Sequence, residues 1–231
     1  MLNYIEQAGV LEAPIDYIWK QAYVAGDFCP KDPKLENKIS SISSKGVMIL
    51  STGFAEWVAW AAHHHFSDPI LLNYIEAVRA GTIDWKYLKS LNSSGRLSEI
   101  LKWNEKPQAS ILIAMLLLGG MVKEAKKGIS NSNRSATLSE LALFVTPNKK
   151  AYKKWRRLIV ERFVEAYPYI EGEENRLVPI DALDPNISVT QENSDQLMAN
   201  FISNLDYEAN PFLMSPTEMK GDGFIGAPYE L

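Results

Sequence analysis

Cysteine occurs once in 231 residues, at position 29, so the chain cannot close a disulfide on itself or build a cysteine-rich zinc site. No GxxxxGK[ST], GxGxxG, GxSxG or HExxH pattern occurs, which removes the common fingerprints of nucleotide binding, dinucleotide binding, serine hydrolysis and zinc proteolysis. Nor is there an apolar run of the roughly 20 residues that span a bilayer. The longest uncharged stretch, Pro107 to Val122, is 16 residues between Lys106 and Lys123, and Gly119 and Gly120 suit it to close packing as a core helix. Met1 to Gln7 has no basic region followed by an apolar one, so no secretory signal is expected. These absences predict a soluble, cytoplasmic protein with no membrane partner.

What the chain does have is 46% hydrophobic residues, enough for one good core, and a net charge of −4 that is unevenly distributed. Residues 31 to 170 hold 21 Lys and Arg against 12 Asp and Glu, whereas residues 171 to 231 hold two basic against twelve acidic side chains. A basic, Trp-rich middle is followed by an acidic last quarter. The expected organisation is a helical domain over 1–170 and an acidic, Pro-rich segment over 171–231 packed on it.

The predicted fold class is all-α, a compact multi-helix domain with an extended, irregular C-terminal segment. A capping residue followed by Pro marks helix starts at Asp68-Pro69, Thr146-Pro147 and Ser215-Pro216, with Ala13-Pro14 a weaker case, because Pro loses nothing at the first helical position. Capping-box spacing recurs at Thr137–Glu140 and Ser215–Glu218. Helices are expected near 14–25, 46–66, 69–80, 96–103, 107–127, 137–144, 148–166 and 195–205, and strand-like pieces only at 176–180 and 187–190. The segment Leu2-Asn3-Tyr4-Ile5-Glu6 recurs as Leu72-Asn73-Tyr74-Ile75-Glu76, one pair where a repeat array needs about three units.

Three clusters can carry chemistry. His63-His64-His65 are consecutive, and neighbours on a helix point about 100° apart, so they do not converge on one ion. No metal and no cofactor is expected, although Glu56, Trp60 and His63 can line a small enzymatic pocket. The run 149–157 places Lys149, Lys153 and Arg157 on one helix face with Lys150 and Lys154 beside them, opposite Tyr152, Trp155, Leu158, Ile159 and Phe163. That face suits nucleic-acid phosphates, yet Glu171, Glu173 and Glu174 can neutralise it from within the chain, and a pI near 5.5 is far below that of a dedicated nucleic-acid binder. Nucleic acid is the less favoured partner. Cys29, in a Pro-flanked loop, has no feature that activates a thiol, and no catalytic residue is assigned.

The stretch Asn210-Pro211-Phe212-Leu213-Met214-Ser215-Pro216-Thr217-Glu218-Met219, followed by Gly223-Phe224-Ile225-Gly226-Ala227-Pro228-Tyr229, resembles the ends of small helical bacterial proteins of toxin loci in contact-dependent secretion systems. Gly53-Phe54-Ala55-Glu56-Trp57-Val58-Ala59-Trp60 is similar to an internal stretch of the same group. The resemblance covers about an eighth of the chain and implies an immunity protein, a non-enzymatic cytoplasmic inhibitor that binds a cognate toxin. It assigns no functional residues. On charge alone, Glu171, Glu173, Glu174, Asp181 and Asp184 are the expected contacts to a basic partner, and the oligomeric state is left open.

Overall fold

The computed structural model describes residues 3–10, 14, 17–19, 28, 30–95, 97–102, 107–172 and 176–230. Its centre is α3 (Ser44–His63), buried along most of its length from Gly46 to Ala62. A helix this apolar on all sides must be surrounded, and α4 (Ile70–Ile83), α6 (Gln108–Ala125), α7 (Ser132–Val145) and α8 (Lys149–Ala166) pack against it. Short helices α1 (Asn3–Gln7), α2 (Pro33–Ile39) and α5 (Leu97–Ile100) precede or link these, and α9 (Gln191–Ser203) and α10 (Pro216–Gly221) follow. The chain is thus all-α, and no strand occurs among the described residues; isolated bridges join Ile42 to Pro168 and Leu88 to Leu213.

An aromatic knot ties α1, α3 and α8. The Tyr4 ring stacks on Trp155 at 4.8 Å between centroids, Trp57 lies 5.6 Å from Trp155, and Phe54 meets Trp155 edge-on at 5.9 Å. Such pairs add stabilisation of about 0.5–1.5 kcal/mol each beyond their burial. Gly53 makes the approach possible: a Cβ there would stand 2.9 Å from Leu183 Cδ2 and 3.2 Å from the Trp155 ring. The missing side chain lets both α8 and the C-terminal segment close on α3.

That segment is about one-third helical and firmly docked. The Trp155 indole N–H donates to the Leu183 carbonyl at 3.0 Å. The Arg162 guanidinium donates to the carbonyls of Ala182, Asp184 and Pro185, the end of a three-ten turn at Ile180–Leu183. Arg162 breaks the amphipathic pattern of α8 because it serves this contact. Further on, Asn210 donates from its amide to the Asn73 carbonyl and to Glu76, Lys89 N–H donates to the Phe212 carbonyl, and Met214 N–H donates to the Tyr87 carbonyl. Phe212, Leu213 and Met219 are fully buried, and Tyr229, at φ +66°, returns its hydroxyl to the Met214 carbonyl at 2.5 Å. The two Asn-Tyr-Ile-Glu copies are both helical with Tyr and Ile buried, but Tyr4 meets Trp155 and Tyr74 meets Phe212.

The helices expected at 46–66, 69–80, 107–127 and 148–166 are present with ends moved by up to three residues. Others are corrected. The helix expected from 137 starts at Ser132, because the Asn131 side chain accepts the Arg134 N–H; Thr137 is interior and donates to the Asn133 carbonyl. The helix expected at 195–205 begins at Gln191 behind a Thr190 capping box, and that expected at 96–103 is helical only over Leu97–Ile100. Residues 14 and 17–19 are not helical, and the rest of the expected 14–25 helix, with Cys29, lies outside the described residues. Asn148 rather than Thr146 caps α8, whereas Ser215-Pro216 caps α10 as expected. The pieces at 176–180 and 187–190 form no strand, since nothing pairs with them. Among the described residues only α6 is long and apolar enough to cross a membrane, and 61% of it is buried in the protein.

Two predictions follow the docking. Phe212→Ala should cost about 3–5 kcal/mol, read by urea unfolding followed at once by near- and far-ultraviolet circular dichroism; a separate early transition of the C-terminal segment would contradict its membership in the core. Glu218 accepts the Ser215 N–H and pairs with Lys89 at 2.9 Å, which lowers its carboxyl to about 2. A lowered folded-state value gives stability that is present above the ordinary carboxylate range and lost as pH falls through about 2. Glu218→Gln should lower stability at neutral pH and flatten that part of the acid-unfolding curve, so that variant and parent converge as pH falls toward about 2.

Candidate partner-binding surfaces

Glu56 lies on the innermost face of α3, at 4% exposure, and pairs with Arg79 of α4, at 8%, through a 2.5 Å contact between Oε2 and Nη2. Arg79 Nε donates to the Thr52 hydroxyl at 3.0 Å, which itself donates to the Ile49 carbonyl. The other Glu56 oxygen accepts the Trp60 indole N–H at 3.4 Å. Both carboxylate oxygens are therefore occupied, one joining α3 to α4 and the other bonded within α3. His63 meets the Trp60 ring edge-on at 4.8 Å, and the three histidines are exposed at the end of α3. No group of three or more His, Cys, Asp or Glu among the described residues is placed to hold a metal. Of the residues expected to line an enzymatic pocket, Glu56 is engaged by Arg79 and Trp60, and His63 lies exposed at the end of the helix. Burial, with Glu56 next, raises the Tyr4 hydroxyl well above the ordinary tyrosine range.

The acidic residues singled out from charge separate in space. Glu171 is exposed in a turn, and Glu173 and Glu174 lie outside the described residues. Asp181 is half-buried, and burial raises its carboxyl above the usual range. Asp184 is corrected outright: at 2% exposure it does not face a partner, because its carboxylate accepts the Asn186 N–H and its carbonyl is held by Arg162. Besides Glu171 and Glu218, which pairs with Lys89, the exposed carboxylates of the segment are Glu192, Asp195, Asp206, Glu208, Asp222 and Glu230, none of these six in an ion pair among the described residues. Their exposure depends on turns around Asp206 and Gly223 and on the face of α9, which spacing alone did not reveal.

The basic helix is free of them. Lys149, Lys150, Lys153 and Lys154 are exposed and form no salt bridge among the described residues; Arg157 is exposed beside Glu161 at 3.6 Å. Trp155 and Arg162, which hold the C-terminal segment, sit about half a turn of helix away from these side chains. The acidic segment thus docks on the other side of α8. On the cationic side, Asp32, Lys34, Leu35 and Lys38 at α2 and Arg156, Arg157 and Val160 of α8 line a cleft of about 290 Å³. Arg156 is tied to Glu140 at 2.5 Å. The α2 lysines were not legible as part of this surface because over a hundred residues separate them from α8.

Comparison with protein-family models, curated proteins and solved structures finds no significant match.

Removing one member of a buried ion pair leaves the other charge uncompensated, at a cost of about 3–5 kcal/mol. Glu56→Gln should show that loss in denaturant unfolding, and adding Arg79→Met to it should recover a large part. A double variant no more stable than the single one would show that the pair is held by more than its own charge balance.

Proposed function

We propose that the protein is a non-enzymatic binding protein of the immunity type, acting in the cytoplasm to occlude a basic protein toxin with its acidic C-terminal surface. The observation that carries this reading is the spatial sorting of charge. Glu192, Asp195, Asp206, Glu208, Asp222 and Glu230 project from a segment whose backbone is fixed to the helical body, and the cationic face of α8 does not quench them. A preorganised acidic surface accelerates encounter with a cationic partner and rejects acidic ones. The resemblance of 210–229 and 53–60 to toxin-locus proteins supports the same reading, and those stretches build the clamp on α4 and the interior of α3 rather than the contact itself.

A second reading uses the other pole. Lys149, Lys153 and Arg157, joined by Lys34 and Lys38 across the cleft, suit the phosphates of a nucleic acid.

Affinity capture with the tagged chain in its own organism, followed by mass spectrometry, separates the two. The immunity reading expects one stoichiometric basic protein whose association slows at least tenfold in the variant Glu192→Lys, Asp195→Lys, Asp206→Lys, Glu208→Lys and in added salt. Capture of nucleic acid, lost on Lys149→Glu, Lys153→Glu, Arg157→Glu, would replace it with the second. A protein partner indifferent to the acidic variant would defeat the proposed surface.

A further inference from the structure

Among the described residues, the large apolar side chain that reaches furthest into water is Ile225, at 94% exposure. It stands at the tip of a turn between Gly223, at φ +74°, and Gly226, at φ +108°, backbone conformations that residues with side chains rarely adopt. The base of the turn is fixed on both sides. Lys86 Nζ donates to the Gly223 carbonyl at 2.6 Å, Phe224 N–H donates to the Met219 carbonyl at 2.9 Å, and the Phe224 ring meets Tyr87 edge-on at 5.4 Å. Beyond the tip, the Tyr229 ring lies 5.2 Å from Tyr87 and stacks on Tyr207 at 5.4 Å, while its N–H donates to the Tyr87 hydroxyl at 3.3 Å. Phe224 and Tyr229 pack on the core and Ile225 is left outside. An apolar side chain held out on a fixed backbone gains by leaving water and loses little conformational freedom in doing so.

The three-ten turn that anchors this tip, Trp85–Tyr87, also supplies a wall of a concavity. Trp85, Met48, Ala125 and Tyr169 are among the residues lining a cleft of about 270 Å³. Its Tyr169 side is set by the Tyr169 N–H, which donates to the Ser41 carbonyl at 2.8 Å. Ile129 and Ile170, each next in the chain to a lining residue, are exposed, as is Tyr169 itself. Exposed apolar side chains grouped beside a concavity mark an interaction surface. One short turn thus joins an apolar tip to an apolar cleft.

The charges beside the two are of opposite sign. Asp222 and Glu230 flank the tip, exposed and in no ion pair among the described residues. Lys123 and Lys127, around the end of α6 that lines the cleft, are exposed and equally without an ion pair. Lys45 interacts with the Asp84 carboxylate and Lys126 lies over the Trp85 ring at 5.9 Å, so neither is called upon. Of the carboxylates on this side, Asp84 accepts the Lys86 N–H and Glu124 pairs with Arg134, which leaves exposed Glu171 against the two free lysines.

We propose that two copies of the chain pair about a two-fold axis, each seating its Ile225 tip in the Trp85–Tyr169 cleft of the other. Tip and cleft adjoin one turn, so a two-fold rotation exchanges them, and a single pairing seats both tips and closes both clefts. Asp222 and Glu230 of one copy then approach Lys123 and Lys127 of the other, whereas two tips brought face to face would repel. The second copy is the occupant that brings a matching tip and a matching cleft together. The contact is small, so the dimer is weak. It does not rest on a toxin partner: Glu192, Asp195, Asp206 and Glu208 take no part in it.

Sedimentation velocity on the full chain, from about 10⁻⁶ to 10⁻³ M, reads the association directly. The expected result is a rise from the 26.0 kDa monomer to twice that mass, with a Kd on the order of 10⁻⁵ M. Ile225→Asp and Tyr169→Asp should each raise the Kd at least about tenfold, and Lys123→Glu, Lys127→Glu should raise it about threefold. All of these side chains are exposed, so circular dichroism should match the parent. Mixing Ile225→Asp with Tyr169→Asp leaves one intact tip facing one intact cleft, and the mixture should associate more tightly than either variant alone. A monomer at every concentration, a mass that grows past two copies, pairing unchanged in Ile225→Asp or in the lysine variant, or no recovery on mixing would each overturn the proposal.

Discussion

The close approach of α8 and the C-terminal segment to α3 at Gly53 is the constraint from which the rest of the arrangement follows. A side chain at that position would collide with Leu183 and crowd Trp155, so its absence decides which side of α8 faces inward. Once Trp155 is seated in the aromatic knot, its indole N–H and the Arg162 guanidinium both point at the carbonyls of 182–185. The acidic segment is thereby committed to the inner edge of α8, and the lysine face is left to solvent. One missing side chain thus helps to keep two charged surfaces of one chain apart.

The buried Glu56–Arg79 pair makes a different contribution. Ionic pairs of this kind give little net stability over a well-packed apolar alternative, but their geometry is demanding. Arg79 has to satisfy Thr52 and Glu56 together, which is possible at one register of α4 against α3. In a core made largely of Ala, Val, Ile and Leu, where sliding by a turn would cost modest packing energy, that polar contact fixes how the two helices align.

Much of the helical framework was legible in the sequence because amphipathic period and capping chemistry act locally. The cationic stripe of α8 and the Ser215-Pro216 start of α10 are examples. The misassigned start of α7 shows the limit: Thr137 and Glu140 have capping spacing, but Glu140 is drawn instead to Arg156, and the cap is Asn131, six residues upstream of Thr137. Asp32-Pro33 carries the same signal as Ser215-Pro216 and does start α2, with Asp32 accepting the Leu35 N–H, yet a single turn of apolar pattern behind it was too short to stand out. At the level of sites the loss is greater. Glu56 and His63 share a helix face on paper, but burial gives Glu56 to Arg79. Asp184 reads as surface charge and is a turn residue inside the fold. A cleft lined by Ser44, Lys45, Trp85, Ala125 and Tyr169 is assembled from segments between residues 44 and 169, and local spacing carries no trace of such a meeting.

The exposed carboxylates of the C-terminal segment and the lysines of α8 do not pair with one another among the described residues, so the surface carries unneutralised charge of both signs. With a net charge of only −4, long-range repulsion between copies is weak, and contact between the carboxylates of one molecule and the α8 lysines of the next is favoured. Ionic strength therefore governs its solution behaviour in an unusual direction: salt that screens interactions over about 10 Å at 0.1 M should disperse the molecules, whereas dilution of salt should draw them into head-to-tail contact.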